Sequence, residues 1–286
     1  MASLKEIKGR ISSVRSTQKI TAAMKMVSSA KLHRTQTLTE NSLRYASELE
    51  GILNGLLAAG DDISSPFIAQ RPVRTVAIVA FASNSGLCGA YNSNVWKKLS
   101  EMIQHYEAEH INVRLFPVGK KIADDLRRAG YDFDKRFIQT AEKLTYAKAS
   151  ELAAELMRLF ASKEVDKVEL LYHHFKNTAV QVMTDKTYLP LTLQPDNSGK
   201  TAVEDFIYEP SIEQLQGILL PKLLNLTIYT TLLDTLTAEH GARMMAMQVA
   251  DDNANDLAQE LTLQYNKSRQ QVITNELLDI VGGSMN

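Results

Sequence analysis

Apolar residues near the start of the chain fall at Leu4, Ile7, Ile11 and Val14, and after an interruption at Ile20, Met24 and Val27. Steps of three and four place side chains on one stripe of a helix and mark a coiled-coil seam. The interruption reads as a stutter, and the small residues Ala22, Ala23, Ser28, Ser29 and Ala30 around it predict close approach of a neighbouring helix. Less strictly, the pattern continues through Tyr45, Leu49, Ile52 and Leu56, while Ser3 with Glu6 three residues later has the form of a capping box. The spacing predicts one helix of about 54 residues, on the order of 80 Å long.

A weaker seam of the same register occupies the other end: Leu223, Leu226, Thr230, Leu233, Thr237, His240, Met244, Met247, Asp251, Ala254, Ala258, Leu261 and Tyr265. Gly282 and Gly283 are expected to stop this helix. Counted from Pro210 it has roughly 70 residues and a length of about 105 Å. Proline placement agrees, since all seven prolines lie between Pro66 and Pro221 and leave both ends uninterrupted.

Between the two helices the pattern alternates. Strands are predicted at 73–81, 111–119, 165–175, 178–184 and 186–193, with helices at 93–109, 119–129 and 145–162. This order predicts a doubly wound, Rossmann-like α/β sheet with an antiparallel end, followed by the polar loop PDNSGK at 195–200. The expected organisation is an N-terminal shaft helix over 1–65, an α/β domain over 66–205 and a C-terminal shaft helix over 206–286. A compact domain has its entry and exit points close together, so the two helices should run away from it as an antiparallel coiled coil. The second is longer, and its end should project past Met1 by about 25 Å. That overhang carries Val272, Ile273, Leu277, Leu278, Ile280 and Val281, an apolar tip that calls for a sleeve supplied by another protein.

Charge refines this picture. The net charge is −1, but residues 1–34 hold eight Lys or Arg against one acid, whereas residues 210–286 hold four basic and nine acidic residues. The helices should attract one another. The stripe Lys5, Lys8, Arg10, Arg15, Lys19, Lys25, Lys31 and Arg34 is open to three readings: a solvated face, a surface for an acidic protein, or a nucleic-acid surface. No aromatics interleave with it, which counts against single-strand binding. One cysteine, Cys88, excludes an internal disulfide framework, and no apolar run reaches membrane-span length. A soluble, cytoplasmic protein is expected, with any membrane association made through partners.

Candidate chemistry centres on SNSGLCGAYN at 83–92, a glycine-bearing turn between a strand and a helix. Such turns hold phosphates where they carry G-x-G-x-x-G or G-x-x-x-x-G-K-[ST]. Here Gly86 and Gly89 stand without those partners, which favours a structural turn. Cys88 has no His or acid at a readable triad spacing. His173 and His174 adjoin on a strand and point to opposite faces, and Glu239-His240 lacks the second His of H-E-x-x-H. No catalytic residue, metal or cofactor is therefore expected. A nucleotide-binding α/β protein with a coiled-coil arm is the alternative function.

Three stretches resemble the gamma subunit of F-type ATP synthase: STQKITAAMKMVSSAKL at 16–32, the block 239–284 with Ile273, Thr274, Glu276 and Asp279 in the pattern I-T-x-E-x-x-[DE], and the loop GLCG. The YEP at 208–210 also matches. The loop differs from the usual Asp-Arg-Gly-Leu-Cys-Gly-Gly at Asn84, Ser85 and Ala90, and Ser284 stands where Ala is usual. The resemblance implies a non-catalytic central rotor shaft inside a ring of alpha and beta subunits. The α/β domain would form a foot against the epsilon subunit and the membrane rotor ring of c subunits. It implies contacts to the alpha/beta ring at Met24, Lys25, Arg269, Gln270, Thr274 and Glu276, and foot contacts at Tyr208 and Glu209. It further implies a peripheral position on the cytoplasmic face of the bacterial inner membrane, with no nucleic acid and no direct membrane insertion.

Overall fold

The computed structural model of the chain describes residues 3–59, 65–142, 144–192, Glu209 and 212–284. Helix α1 (Leu4–Ala59) starts as its capping sequence predicts: the Ser3 hydroxyl accepts the Glu6 N–H at 3.2 Å, and the Ser3 carbonyl accepts the Ile7 N–H at 3.1 Å. Among its buried and half-buried positions, Leu4, Ile7, Ile11, Val14, Gln18, Thr21, Lys25, Ser28, Leu32, Thr35, Thr39, Ser42, Ala46, Leu49 and Leu53 form the seam, and Ala22 and Met24 are half-buried beside it. These steps alternate three and four without a break, so the expected stutter is absent. Ile20 and Val27, read as seam residues, face outward at 59% and 56% exposure. The seam instead passes through hydroxyl-bearing and small residues. Ser28 and Thr39 bond back to the carbonyls of Met24 and Thr35 at 2.8 and 2.9 Å, which lets them be buried without an unmet donor.

Helix α5 (Ile212–Ser284) runs antiparallel to α1. Leu49 and Leu53 pack with Leu220, Leu223 and Leu226, and the hydroxyls of Thr39 and Thr237 meet at 3.2 Å. Gly282 and Gly283 do not end α5, which continues to Ser284. A glycine costs about 1 kcal/mol in a helix but stops it only where the chain turns left-handed. The loop at 195–200 lies outside the described residues.

The segment between contains β1 (Thr75–Phe81), α2 (Tyr91–Ala108), β2 (Asn112–Val118), α3 (Lys120–Ala129), α4 (Tyr146–Ala161), β3 (Lys167–Phe175) and β4 (Gln181–Leu189). The strands form one sheet in the order β2-β1-β3-β4, parallel except for β4. The two strands predicted at 178–184 and 186–193 are the single strand β4. Asp185 and Lys186 do not break it, because it is an edge strand whose charged side chains reach water. The register skips between Val168 and Glu169, leaving Tyr188 as an extra residue on β4.

Alternation along β1 builds two layers. Val76, Ile78 and Ala80 pack with Leu99, Ile103, Ile122 and Leu126 of α2 and α3. Ala77, Val79 and Phe81 face the other way, onto Leu152 and Leu156 of α4 and onto Leu224, Ile228 and Leu232 of α5. The long helix is therefore also a layer of the α/β domain. Its burial is nearly continuous over residues 220–241, where α1 covers one side and the sheet the other.

One glycine fixes the upper edge of the sheet. Gly119 has φ of 117° and lies where a Cβ would stand 2.2 Å from the Ala82 carbonyl oxygen. The turn after β2 thereby crosses the turn after β1 in backbone contact, with the Lys121 N–H bonded to the Ser83 carbonyl at 3.1 Å. Gly119→Ala is expected to cost more than about 2 kcal/mol through this clash and the unfavourable φ. Urea unfolding of the purified chain measures the loss.

Candidate functional site

Above residue 241 the burial of α5 narrows toward a stripe through Met244, Met247, Asp251, Ala254, Ala258, Leu261, Tyr265 and Ser268, joined beyond residue 250 by half-buried Thr262. This is the expected register, extended by one residue. From Arg269 to Val281 every residue is exposed, because α1 has run out at that level. The overhang to Ser284 is about 24 Å at the helical rise. Leu277, Leu278 and Ile280 are 57%, 64% and 68% exposed, an apolar end standing in water.

Arg269, Gln270, Thr274 and Glu276 all lie on this tip, and the Thr274 hydroxyl bonds back to the Gln270 carbonyl at 2.9 Å. Met24 and Lys25 are half-buried on α1, about 30 Å lower along the shaft by the helical rise. The predicted residues thus form two stations on one rod rather than a pocket. Glu209 is exposed, and Tyr208 lies outside the described residues. Among the described residues no ion pair joins α1 to α5, so the expected attraction is not expressed as direct contacts. Apart from half-buried Lys25, the basic stripe faces water.

Residues 83–92 hold a second set of interactions. Within the turn, Leu87 and Gly89 adopt φ of 63° and 60°, and the Ser83 N–H bonds to Asn92 Oδ1 at 3.1 Å. Asn84 Oδ1 accepts the Lys120 N–H at 3.0 Å, capping α3, whose own N-cap, Gly119, has no side chain. Arg243 of α5 donates to the Ser85 hydroxyl at 3.0 Å while it holds Glu239 at 2.6 Å, both members of that pair being nearly buried. The Tyr91 hydroxyl donates to the Thr235 carbonyl at 3.1 Å, its ring stacks on His173 at 4.2 Å, and Cys88 packs beside it on Ala238. Next to this contact Asp234 accepts the Phe175 N–H at 2.9 Å and meets His174 Nδ1 at 2.7 Å. The two histidines do occupy opposite faces of β3.

Sequence reasoning treated the loop as a turn and missed its grip on α5. Its partners lie 144 to 158 residues away, beyond the reach of any local pattern. The departures at Asn84 and Ser85 do have partners, the start of α3 and Arg243. Nothing in the structure explains Ala90.

A protein named ATP synthase gamma chain from Parabacteroides distasonis is 63% identical over 284 residues, 99% of each chain. The family model described as ATP synthase matches residues 3–285. The chain belongs to the ATP synthase gamma chain family. A second gamma chain, from Phocaeicola vulgatus, is 53% identical over 288 residues and the full length of both proteins. A solved chain of the Euglena gracilis mitochondrial ATP synthase superposes with a TM-score of 0.66 at 19% identity, covering 99% of this chain and 93% of that one. At that distance the agreement is one of fold: two long terminal helices enclosing a mixed sheet.

Within this gamma-chain fold a buried histidine, His173, and a half-buried one, His240, lie close to the loop's grip on α5. Burial pushes His173 down to about 4, and its Nδ1 has no hydrogen-bond partner. Burial, then the cations Arg243 and Lys31, push His240 down to about 4 as well. In the unfolded chain both titrate near the ordinary value of 6.5. Between those values the unfolded chain binds more protons, so the stabilisation present above about 6.5 is lost as pH falls toward about 4. Replacing His173 by Phe keeps a ring against Tyr91 and removes one proton site. Urea midpoints measured from pH 7 to pH 4 should fall less steeply for His173→Phe than for the parent chain.

Proposed function

We propose that the chain is the central rotor shaft of an F-type ATP synthase, coupling proton-driven rotation of the membrane ring to conformational change at the catalytic beta subunits. The bare apolar tip of α5 carries this reading. A helix end of that composition, held about 24 Å beyond its own partner helix, is suited to a bearing formed by other subunits. Met24 and Lys25 on the lower shaft, and Arg269, Gln270, Thr274 and Glu276 on the tip, are the contacts to the alpha/beta ring. The α/β domain is the foot, meeting the epsilon subunit and the ring of c subunits, with Tyr208 and Glu209 among its contacts.

No residue of this chain need act on ATP. A shaft made of one long and one shorter helix is asymmetric about its axis, so it meets three chemically equal beta subunits differently at each angle. A partner shifts an equilibrium only by its differential interaction with the states, and rotation changes which subunit receives that interaction. Each proton crossing the membrane supplies about 2.3 kcal/mol per 100 mV to the turning foot. The chain is then a non-catalytic subunit, peripheral to the cytoplasmic face of the bacterial membrane through its complex.

The purified chain should show no ATP turnover by itself and should restore proton-coupled ATP synthesis to a complex depleted of its gamma chain. Hydrolysis by the pure chain, or failure to restore synthesis, contradicts the proposal. Replacing Arg269 and Gln270 together by Ala should change the stability of the isolated chain by less than about 0.5 kcal/mol, since both are exposed. Coupled synthesis by the complex should fall about tenfold, as expected for lost polar contacts to a partner. Thermal melts and synthesis rates measured side by side separate the two effects.

A further inference from the structure

We propose that residues 83–92 form the joint through which the α/β domain turns α5, with Ser85 and Asn84 as its positioning residues; this rests on the rotor reading above. The domain grips α5 in two zones of different physical character. The lower zone, Leu224, Ile228 and Leu232 against the sheet and α4, is apolar. Apolar burial resists separation but is non-directional, so it opposes sliding around the helix weakly. The upper zone is directional: Arg243 to Ser85 at 3.0 Å, Tyr91 to the Thr235 carbonyl at 3.1 Å, and the Phe175 N–H to Asp234 at 2.9 Å. A tangential load on the shaft must be carried by contacts of this second kind.

The loop also reaches back into the domain. Asn84 caps α3, and Ser83 binds Asn92 in the first turn of α2, so a load on either helix arrives at the same ten residues. Arg243 is a fixed receiver, because Glu239 one turn below holds its other nitrogen within the same helix. Ser85 is the side chain through which the loop meets that guanidinium. Cys88, buried at 2% exposure inside the joint and the only cysteine of the chain, reports on its opening.

The test uses the whole complex carrying the parent chain, Ser85→Ala, Asn84→Ala, or the conservative Ser85→Thr and Asn84→Asp. Three quantities are read: ATP hydrolysis, protons pumped per ATP, and the labelling rate of the Cys88 peptide by a thiol reagent, followed by mass spectrometry. Losing a hydrogen bond to a charged donor shifts a local opening equilibrium about three- to tenfold, so Ser85→Ala should label that much faster. It should hydrolyse ATP at the parent rate while pumping fewer protons per ATP, and Ser85→Thr should restore both labelling and pumping. Asn84→Ala should act in the same direction, with rescue by Asn84→Asp, and it decides the question if Ser85→Ala does not assemble. Unchanged labelling and pumping overturn the joint, as does a pumping loss without faster labelling, which would place the effect at a subunit contact. A parent complex that does not pump overturns the rotor reading itself, and the joint with it.

Discussion

The burial of α5 over residues 220–241 on two sides at once is the constraint on which the rest of the structure depends. A helix of 73 residues takes most of its stability from tertiary packing. Here one side takes Leu49 and Leu53 of α1, and the other closes the lower layer of the sheet against Leu152, Leu156 and Phe81. Each fully buried leucine or isoleucine contributes about 1.5 to 3 kcal/mol. The domain and the shaft are thereby one core, and the orientation of the shaft is set where the sheet is.

Above that core adhesion is deliberately thin. The seam there passes through Thr21 and Ser28 on α1 and through Asp251, Ala254 and Ala258 on α5, residues that bring the backbones close without burying much apolar area. The large apolar residues Ile20, Val27, Leu38, Tyr45 and Ile52 point outward instead. A rod of this construction presents an adhesive outer face and an adhesive tip, as an element that works inside other subunits requires.

Directional contacts complete the arrangement at the point where the rod leaves the domain. The charges at Arg243 and Glu239 satisfy one another within α5, and Arg243 keeps donors aimed at Ser85 and Gly86. His173 and His240 stay neutral beside them because burial penalises their charged forms. The upper end of the foot is thus stiff, in contrast with the slender shaft above it.

Sequence by itself determined the elements: two long helices at the ends of the chain, the second carrying Pro221 near its start, their antiparallel course, the overhang with Leu277, Leu278 and Ile280, and the alternating segments between. Those follow from local periodicity, which the chain carries residue by residue. Its motifs were also enough to place it beside the gamma chains. Tertiary structure decided the path of the seam at Gln18, Thr21 and Lys25, where polar residues are buried or half-buried and Ile20 and Val27 are exposed. It joined two predicted strands across Asp185 and Lys186, and carried α5 through Gly282 and Gly283. Above all it gave the 83–92 loop its partners at distant positions of the chain, Thr235, Arg243 and Lys120. Those contacts depend on where the sheet meets α5, a long-range fact that no window of sequence contains.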